Sequence, residues 1–421
     1  MKGYNKAKNK LKKYNQEHII PLMEMLDKEE LEKISKQINK LNFKQIDKLY
    51  EELRKKELED IKNIEPILAL NKDKLTEEEL KYYNEIGEKI LYDDKYAVVT
   101  MSGGQGTRLG YDGPKGTFQI DVEPKPKFLF EILANNLRDI SQRHHNVIPW
   151  YIMTSSENND EIINFFEEHY YFNYPRDEVH FFKQDDLPLI TPEGKLIISD
   201  KKVIKEAANG NGGIFKSMYK NGVIRELQER KIKWIFIGSI DNVLLKLADP
   251  TLIGMAEAKK VNIATKSILK EDPNEKVGAI CKKNGKIKVI EYSEMSDEVK
   301  NMRNEDGELT YGESHIMCNL FSLKALKKLS RKKLPYHIAF KKSNYLNNEG
   351  IIVIADAPNV YKFETFIFDS WTYFKDIAIL RGKREEDFAP VKNKEGIDSP
   401  ETAIKLYNDY YDKNIKNRFF I

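Results

Sequence analysis

Two cysteines in 421 residues, Cys281 and Cys318, are too few for a disulfide framework or a thiolate zinc site. No stretch approaches the roughly 20 consecutive apolar residues that a membrane span needs. The opening Met1-Lys2-Gly3-Tyr4-Asn5 has neither the apolar stretch nor the small-residue cleavage site of a secretory signal. Excess charge of one sign is missing as well: 70 Lys and Arg face 67 Asp and Glu, a net charge of +3. A polyanion binder would show basic residues in excess and gathered on one face. These absences predict a soluble, cytoplasmic protein with no nucleic-acid and no membrane partner. Repeats and low-complexity linkers are also lacking. The 40% apolar content supports a sizeable core, and the length allows one large domain with appendages or two to three domains.

The first 92 residues are dominated by helix formers. Ile19, Ile20, Leu22, Met23 and Leu26 form one apolar stripe, and Leu31, Ile34, Ile38 and Leu41 form a second at spacings of three and four. Heptads are not sustained and Pro21 and Pro66 interrupt, which opposes a coiled coil. The segment reads as a helical N-terminal region, 1–92, packed on the rest of the protein. Tyr96 to Met101 is then a short apolar, β-branched run that reads as a buried strand. Similar runs follow at Val147–Met153, Val179–Phe182, Trp234–Gly238, Val261–Ala264 and Ile351–Ala355. Helical stretches at Phe128–Arg143, Asn159–His169 and Gly222–Arg230 lie between several of them. Alternation of this kind predicts an α/β fold, a mixed and mostly parallel sheet flanked by helices. Ligands bind such sheets beyond the carboxyl ends of the strands. A hairpin from Gly278 to Tyr292, turning at Asn284-Gly285, interrupts the pattern.

The most informative stretch starts at the end of the first strand: Gly103-Gly104-Gln105-Gly106-Thr107-Arg108-Leu109-Gly110, then Gly113-Pro114-Lys115-Gly116. Glycines there let backbone amides approach an anion closely, and Arg108 and Lys115 add two positive charges. The combination suits a triphosphate. A dinucleotide fingerprint would need glycine where Leu109 stands, and a P-loop would need Gly-Lys-Ser/Thr, whereas Lys115 follows proline. A nicotinamide-dependent oxidoreductase on a similar sheet is opposed by that missing fingerprint. No Ser-His-Asp or Cys-His arrangement stands out.

The loop resembles the signature of the UDP-sugar pyrophosphorylase family, and its UDP-N-acetylhexosamine branch in particular. Other segments resemble the family in the same order: Gln184-Asp185-Asp186-Leu187-Pro188, Asn209-Gly210-Asn211-Gly212-Gly213, Asp241-Asn242-Val243-Leu244 running on to Ala248-Asp249-Pro250, Glu291-Tyr292-Ser293-Glu294, Asn319, Phe366-Ile367-Phe368-Asp369 and Pro390-Val391-Lys392-Asn393. Asn15-Gln16-Glu17-His18 and Leu41-Asn42-Phe43 resemble its helical N-terminal region. The likeness covers nearly the whole chain. It implies a Rossmann-like fold of the nucleotide-diphospho-sugar transferase type, with a nucleotidyltransferase catalytic domain at 93–380 and a short C-terminal segment, 381–421, that contributes Lys392.

The resemblance implies a reaction in which UTP and a sugar 1-phosphate give a UDP-sugar and pyrophosphate. Gly103, Gly104, Gly106 and Thr107 would hold the nucleotide phosphates, with Gly210 also on the nucleotide side, and Gln184 would read the uracil edge. Arg108 would stabilise charge on the leaving pyrophosphate, Lys115 would contact the α-phosphoryl group, and Lys392 would reach the sugar phosphate. Asp241 would hold Mg²⁺, the bland alternative being that an aspartate there caps a helix instead. Asn211, Glu291 and Asn319 would bind the sugar, and Phe366 and Phe368 would shape its pocket. On residue type alone, the two phenylalanines read as core, Glu291 as a solvated strand residue and Lys392 as a surface lysine. Members acting on glucose 1-phosphate typically carry histidine where this chain has Asn211, so the loop points to N-acetylglucosamine 1-phosphate. UDP-glucose or broad UDP-sugar synthesis, and a catalytically silent nucleotide-sugar sensor, are the alternatives. Asn209 stands where the family has aspartate, and Ser102 where it has alanine. Animal and fungal members carry a C-terminal β-rich domain, for which the roughly 30 residues after Lys392 are too few.

Overall fold

The computed structural model describes residues 2–54 and 63–419, which divide into two compact units. The smaller joins the N-terminal helices to Asp185–Gly212 and Leu334–Phe366. Its helices are α1 (Lys2–Lys13), α2 (Ile20–Met25), α3 (Lys28–Lys40) and α4 (Phe43–Arg54). A capping box starts α3: Asp27 accepts from the Glu30 amide, and the Glu30 carboxylate accepts from the Asp27 amide, which satisfies two first-turn donors. The predicted stripe residues Ile34 and Ile38 are fully buried, together with Leu11, Ile19, Ile190 and Phe363. Gln16 fastens helix to loop, donating to Gly194 O at 2.9 Å and accepting from Leu196 N at 2.9 Å. Burying an amide is tolerable because both ends are paired.

The larger unit is built on an eleven-stranded sheet. In chain order its strands are β1 (Ile64–Pro66), β2 (Leu70–Asn71), β3 (Tyr96–Met101), β4 (Trp150–Thr154), β5 (Val179–Lys183), β6 (Trp234–Ser239), β7 (Ile263–Leu269), β8 (Ala279–Lys283), β9 (Lys286–Ile290), β10 (Glu313–Ser322) and β11 (Ala378–Arg381). Their spatial order is β2-β11-β7-β10-β6-β3-β4-β5, with β8 pairing β1, β9 and one residue of β10. Every pairing along the main path is parallel except those of β10, which runs antiparallel to β6 and β7. All six residues of β3 and all five of β4 are buried, as expected for strands covered on both faces. The helices include α5 (Glu77–Tyr92), α6 (Leu129–His144), α7 (Asn159–Glu168), α8 (Ile214–Lys220), α9 (Val223–Glu229) and α10 (Pro250–Ala258). The crossing of α5 and α10 is closed by two glycines. A Cβ on Gly254 would fall 1.8 Å from Tyr83 O, and one on Gly87 2.0 Å from Pro250 O.

The α/β sheet and the helical N-terminus are as read from sequence, and β3 matches its predicted run. The hairpin β8–β9 turns at Asn284-Gly285, both left-handed at φ 52° and 71°, as a two-residue turn of this type requires. Three readings differ. The helical segments of 1–92 divide between the units, α1–α4 in the smaller and α5 in the larger, because Ile64–Pro66 leaves the helical pattern to pair with β8. The run at Ile351–Ala355 shrinks to Ile352–Val353 and pairs only with Tyr345–Leu346 in the smaller unit, so it is no strand of the main sheet. The strand expected from Val147 begins at Trp150, after Pro149, which has no amide hydrogen for the ladder.

Candidate functional site

The chain leaves β3 for β4 on one side and returns to β6 on the other. This makes a topological switch point, where α/β sheets bind ligands beyond the carboxyl ends of their strands. The glycine loop follows β3 and Asp241 follows β6, so the two most informative sequence segments flank one crevice. The loop is a closed fold: Gly106 N donates to Gly113 O at 2.9 Å, Lys115 N to Gly104 O at 3.2 Å, and Tyr111 N to Gly106 O at 3.1 Å. Thr107–Leu109 form a single turn capped by Gly110 at φ 71°. A side chain on Gly106 would meet the Tyr111 ring at 2.7 Å. Gly104, Thr107 and Arg108 are exposed, and nothing lies within 4 Å of a Cβ on Gly104. That residue's face is open to a ligand. Gly103 lies against Gln184 instead: a Cβ there would fall 2.2 Å from Gln184 Nε2.

Lys115 Nζ stands 3.5 Å from Asp241 Oδ2, with the two side chains 16% and 18% exposed. Burial pushes the Asp241 carboxyl up, but Lys115 and Lys392 outweigh it and hold the group below the usual carboxylate range. Lys392 arrives through its backbone. Asn242, 2% exposed, donates to Asp387 O at 2.7 Å and accepts from Ala389 N at 2.8 Å. Val391 N then donates to Asp241 O at 2.8 Å. The Lys392 ammonium lies 3.6 Å from Asp398 Oδ2 and 5.0 Å from the centre of the Phe388 ring. Three groups proposed from sequence, Lys115, Lys392 and Asp241, thus share one electrostatic site.

Asp249, in the segment that continues from Asp241, has a structural place. It caps α10 through Thr251 N and pairs with Lys266 at 2.5 Å. Lys266, 1% exposed, also holds Asp387 at 2.5 Å. Nothing in the sequence announced this lysine, since a strand buried along nearly its whole length gives no local sign that a cation within it is paired.

Asn319 is fully buried on β10. Its Oδ1 accepts from Thr265 Oγ1 at 3.1 Å and from His315 Nε2 at 3.0 Å. The His315 ring packs edge-on against Phe368 and Trp371, centroids 5.7 and 5.1 Å away. Glu291 follows β9; its carboxylate would lie 3.4 Å from a Cβ on Gly278, and His315 N donates to Gly278 O at 3.0 Å. Glu291 thus lies near the Gly278 that the His315 backbone bonds to, while Asn319 and Phe368 pack against His315, which the sequence reading passed over. The available signal was its spacing from Asn319, four residues along one strand and so on the same face. In the smaller unit, Gly210 (φ 83°) and Asn211 lie in a loop fastened to Thr365: Thr365 N donates to Asn209 O at 2.8 Å, and Gly212 N to Thr365 O at 2.9 Å. Phe366 comes next in the chain, its ring 4.4 Å from that of His337.

Among the described residues no cluster of three or more His, Cys, Asp and Glu side chains forms a metal cage. No helix among them is long and apolar enough to cross a membrane.

Residues 40–411 match the family described as UTP–glucose-1-phosphate uridylyltransferase. The chain is 36% identical over 336 residues to UDP-N-acetylhexosamine pyrophosphorylase-like protein 1 of Xenopus tropicalis, covering 77% of this chain and 66% of that one, just under two thirds. It is 33% identical over 419 residues to UDP-N-acetylglucosamine diphosphorylase 2 of Arabidopsis thaliana, covering 94% and 82%. The solved uridine diphosphate N-acetylglucosamine pyrophosphorylase of Trypanosoma brucei superposes with a TM-score of 0.81 at 27% identity, covering 96% of this chain and 84% of that one. With the match spanning most of its length, the chain belongs to the UTP–glucose-1-phosphate uridylyltransferase family.

Proposed function

We propose that the protein joins UTP to a sugar 1-phosphate, N-acetylglucosamine 1-phosphate by preference, giving a UDP-sugar and pyrophosphate. The observation that carries this reading is the meeting of Lys115, Asp241 and Lys392 beside the glycine loop. An oxygen of the sugar phosphate attacks the α-phosphorus of UTP, and the bond from that phosphorus to the bridging oxygen of the β-phosphate breaks. The nucleophile is already ionised at neutral pH, so no general base is needed. Catalysis is positioning and charge stabilisation. Lys115 and Lys392 neutralise the two phosphates that must approach each other, and exposed Arg108 meets the departing pyrophosphate. Gly103, Gly104, Gly106 and Thr107 supply the phosphate cradle. Gln184, held against Gly103, presents its amide to the uracil. In the larger unit Glu291, Asn319 and Phe368 receive the sugar; in the smaller unit the family resemblance assigns Gly210 to the nucleotide and Asn211 and Phe366 to the sugar. The names of the relatives support the acetamido sugar.

Asp241 fits Mg²⁺ carried in by the substrate. It is ionised and partly exposed, and one carboxylate plus substrate phosphates is a usual arrangement for that ion. Bound there, Mg²⁺ would offset negative charge on the phosphates.

The test is pyrophosphate release from UTP and Mg²⁺ with N-acetylglucosamine, N-acetylgalactosamine, glucose and galactose 1-phosphates in turn. Release with the acetamido sugars, lost on chelation and in Lys115→Ala, is the expected result. Release with glucose 1-phosphate alone would keep the chemistry and overturn the sugar. UTP binding without release from any sugar would leave a silent sensor.

A further inference from the structure

Lys266 lies in the middle of β7, 1% exposed, and pairs with Leu380 of β11 in the sheet. Its ammonium holds two carboxylates at 2.5 Å each, Asp249 at the start of α10 and Asp387. Asp387 is 3% exposed, and Lys246 stands 3.4 Å from the same oxygen, Oδ1. The other oxygen fills the space that a side chain on Gly382 would need: a Cβ there would fall 2.1 Å from Asp387 Oδ2. A buried ion pair is often no more stabilising than apolar side chains of the same volume. Stability alone therefore does not account for charges held at this depth.

What Asp387 does hold is the chain that follows it. Its carbonyl accepts from Asn242 Nδ2 at 2.7 Å, and Ala389 N donates to Asn242 Oδ1 at 2.8 Å. Val243 N donates to Ala389 O at 3.1 Å, and Val391 N donates to Asp241 O at 2.8 Å. Phe388, Ala389 and Val391 are 3%, 0% and 0% exposed, so the run is packed along its length up to Lys392. We infer that Asp387, fixed by Lys266, is a positioning residue for Lys392: the buried pair sets where residues 388–391 lie beside Asp241, and so where the Lys392 ammonium meets the sugar phosphate. The inference rests on the proposed function, in which Lys392 takes that phosphate. It adds two residues that are too deeply buried to touch a substrate themselves. Misplacing a reacting group by about 1 Å can cost about 100-fold in rate, which gives a rigid anchor its value.

Asp387→Asn keeps the shape of the side chain and removes its charge. It should lower kcat/KM for the sugar 1-phosphate about tenfold, while KM for UTP stays within about twofold of wild type. In a Lys392→Ala background the same substitution should add less than about twofold, because the group it positions is already gone. Full additivity of the two losses would overturn the inference, since a purely structural defect acts equally in either background. Hydrogen exchange gives a second reading that needs no turnover. In Asp387→Asn the amides of Ala389 and Val391 should exchange about tenfold faster, with those of β3 and β4 unchanged. Equal acceleration throughout the protein, or none at 389 and 391, also overturns it. Should Asp387→Asn not fold, Gly382→Ala displaces the same carboxylate from its Oδ2 side and is held to the same outcomes. A wild type that releases no pyrophosphate sinks the catalytic reading alone, and hydrogen exchange then decides whether Asp387 holds the segment.

Discussion

The Lys115 ammonium lies 3.5 Å from the Asp241 carboxylate, and the segment carrying Lys392 is hydrogen-bonded to the Asp241 backbone. The two cations of this half-buried crevice, Lys115 against Asp241 and Lys392 against Asp398, are thereby placed to meet the two phosphates that must approach each other. Lys115→Ala should therefore reduce kcat by about 10²–10³, the range seen when one electrostatic donor is removed. Steady-state pyrophosphate release measures it, and retention of wild-type kcat would remove Lys115 from the chemistry.

Gly103→Ala probes the uracil side. The added methyl would collide with the amide end of Gln184 at 2.2 Å, a flexible group that can swing away without unfolding anything. The expected outcome is a KM for UTP raised about tenfold, with the melting temperature within a degree or two of wild type. A large loss of stability with unchanged KM would place Gln184 in the core rather than at the nucleotide.

Lys266→Met leaves Asp249 and Asp387, 5% and 3% exposed, without their shared cation. Breaking a buried ion pair from one side typically costs about 3–5 kcal/mol, and chemical denaturation of the variant should show a loss of that order. The double variant Lys266→Met with Asp387→Leu should recover part of it.

Stability should fall on the acid side in two stages. His315 is pushed down from 6.5 to about 4 by burial, so the unfolded chain takes up its proton first and stability declines as pH drops from about 6.5 to 4. His18, also lowered by burial, contributes in the same direction. Asp249 and Asp387 are held below the ordinary carboxylate range because Lys266 outweighs their burial. Their contribution is present above the unfolded value near 4 and is lost at more acid pH. Lys266 itself is raised, so its share persists up to its unfolded value near 10.4 and goes only as pH rises through the folded one. A melting-temperature profile from pH 3 to 9 checks this, and His315→Gln should flatten the first stage while leaving the second.

Gly254→Ala should destabilise by about 1–3 kcal/mol, since a methyl 1.8 Å from Tyr83 O must push α5 away from α10. Substitution at exposed Gly285, where nothing lies within 4 Å, serves as the contrast, its strain coming from φ 71° alone.

Local pattern was enough to read several parts of this protein. The apolar run at Tyr96–Met101, the glycine loop behind it, the Asn284-Gly285 turn and the helical stripe at Ile34 and Ile38 depend on neighbours within a few residues. Propensity and periodicity act at that range, and the structure contains each of them. Other features depend on residues far apart in the chain, which no local signal reports. The short strand Ile64–Pro66 exists because β8 offers it an edge, and Ile352–Val353 lies in the smaller unit because its partner does. Lys392 reads as an isolated surface lysine until Asn242 draws residues 387–391 onto Asp241. The burial of His315 against Asn319, Phe368 and Trp371 likewise shows only after folding has brought these residues together. Sequence alone thus determined the chemistry available at each position and the strand-to-loop step that presents the glycines. Tertiary structure decided which charges meet and which polar atoms stay unpaired, because both are set by burial and by contacts that form only on folding.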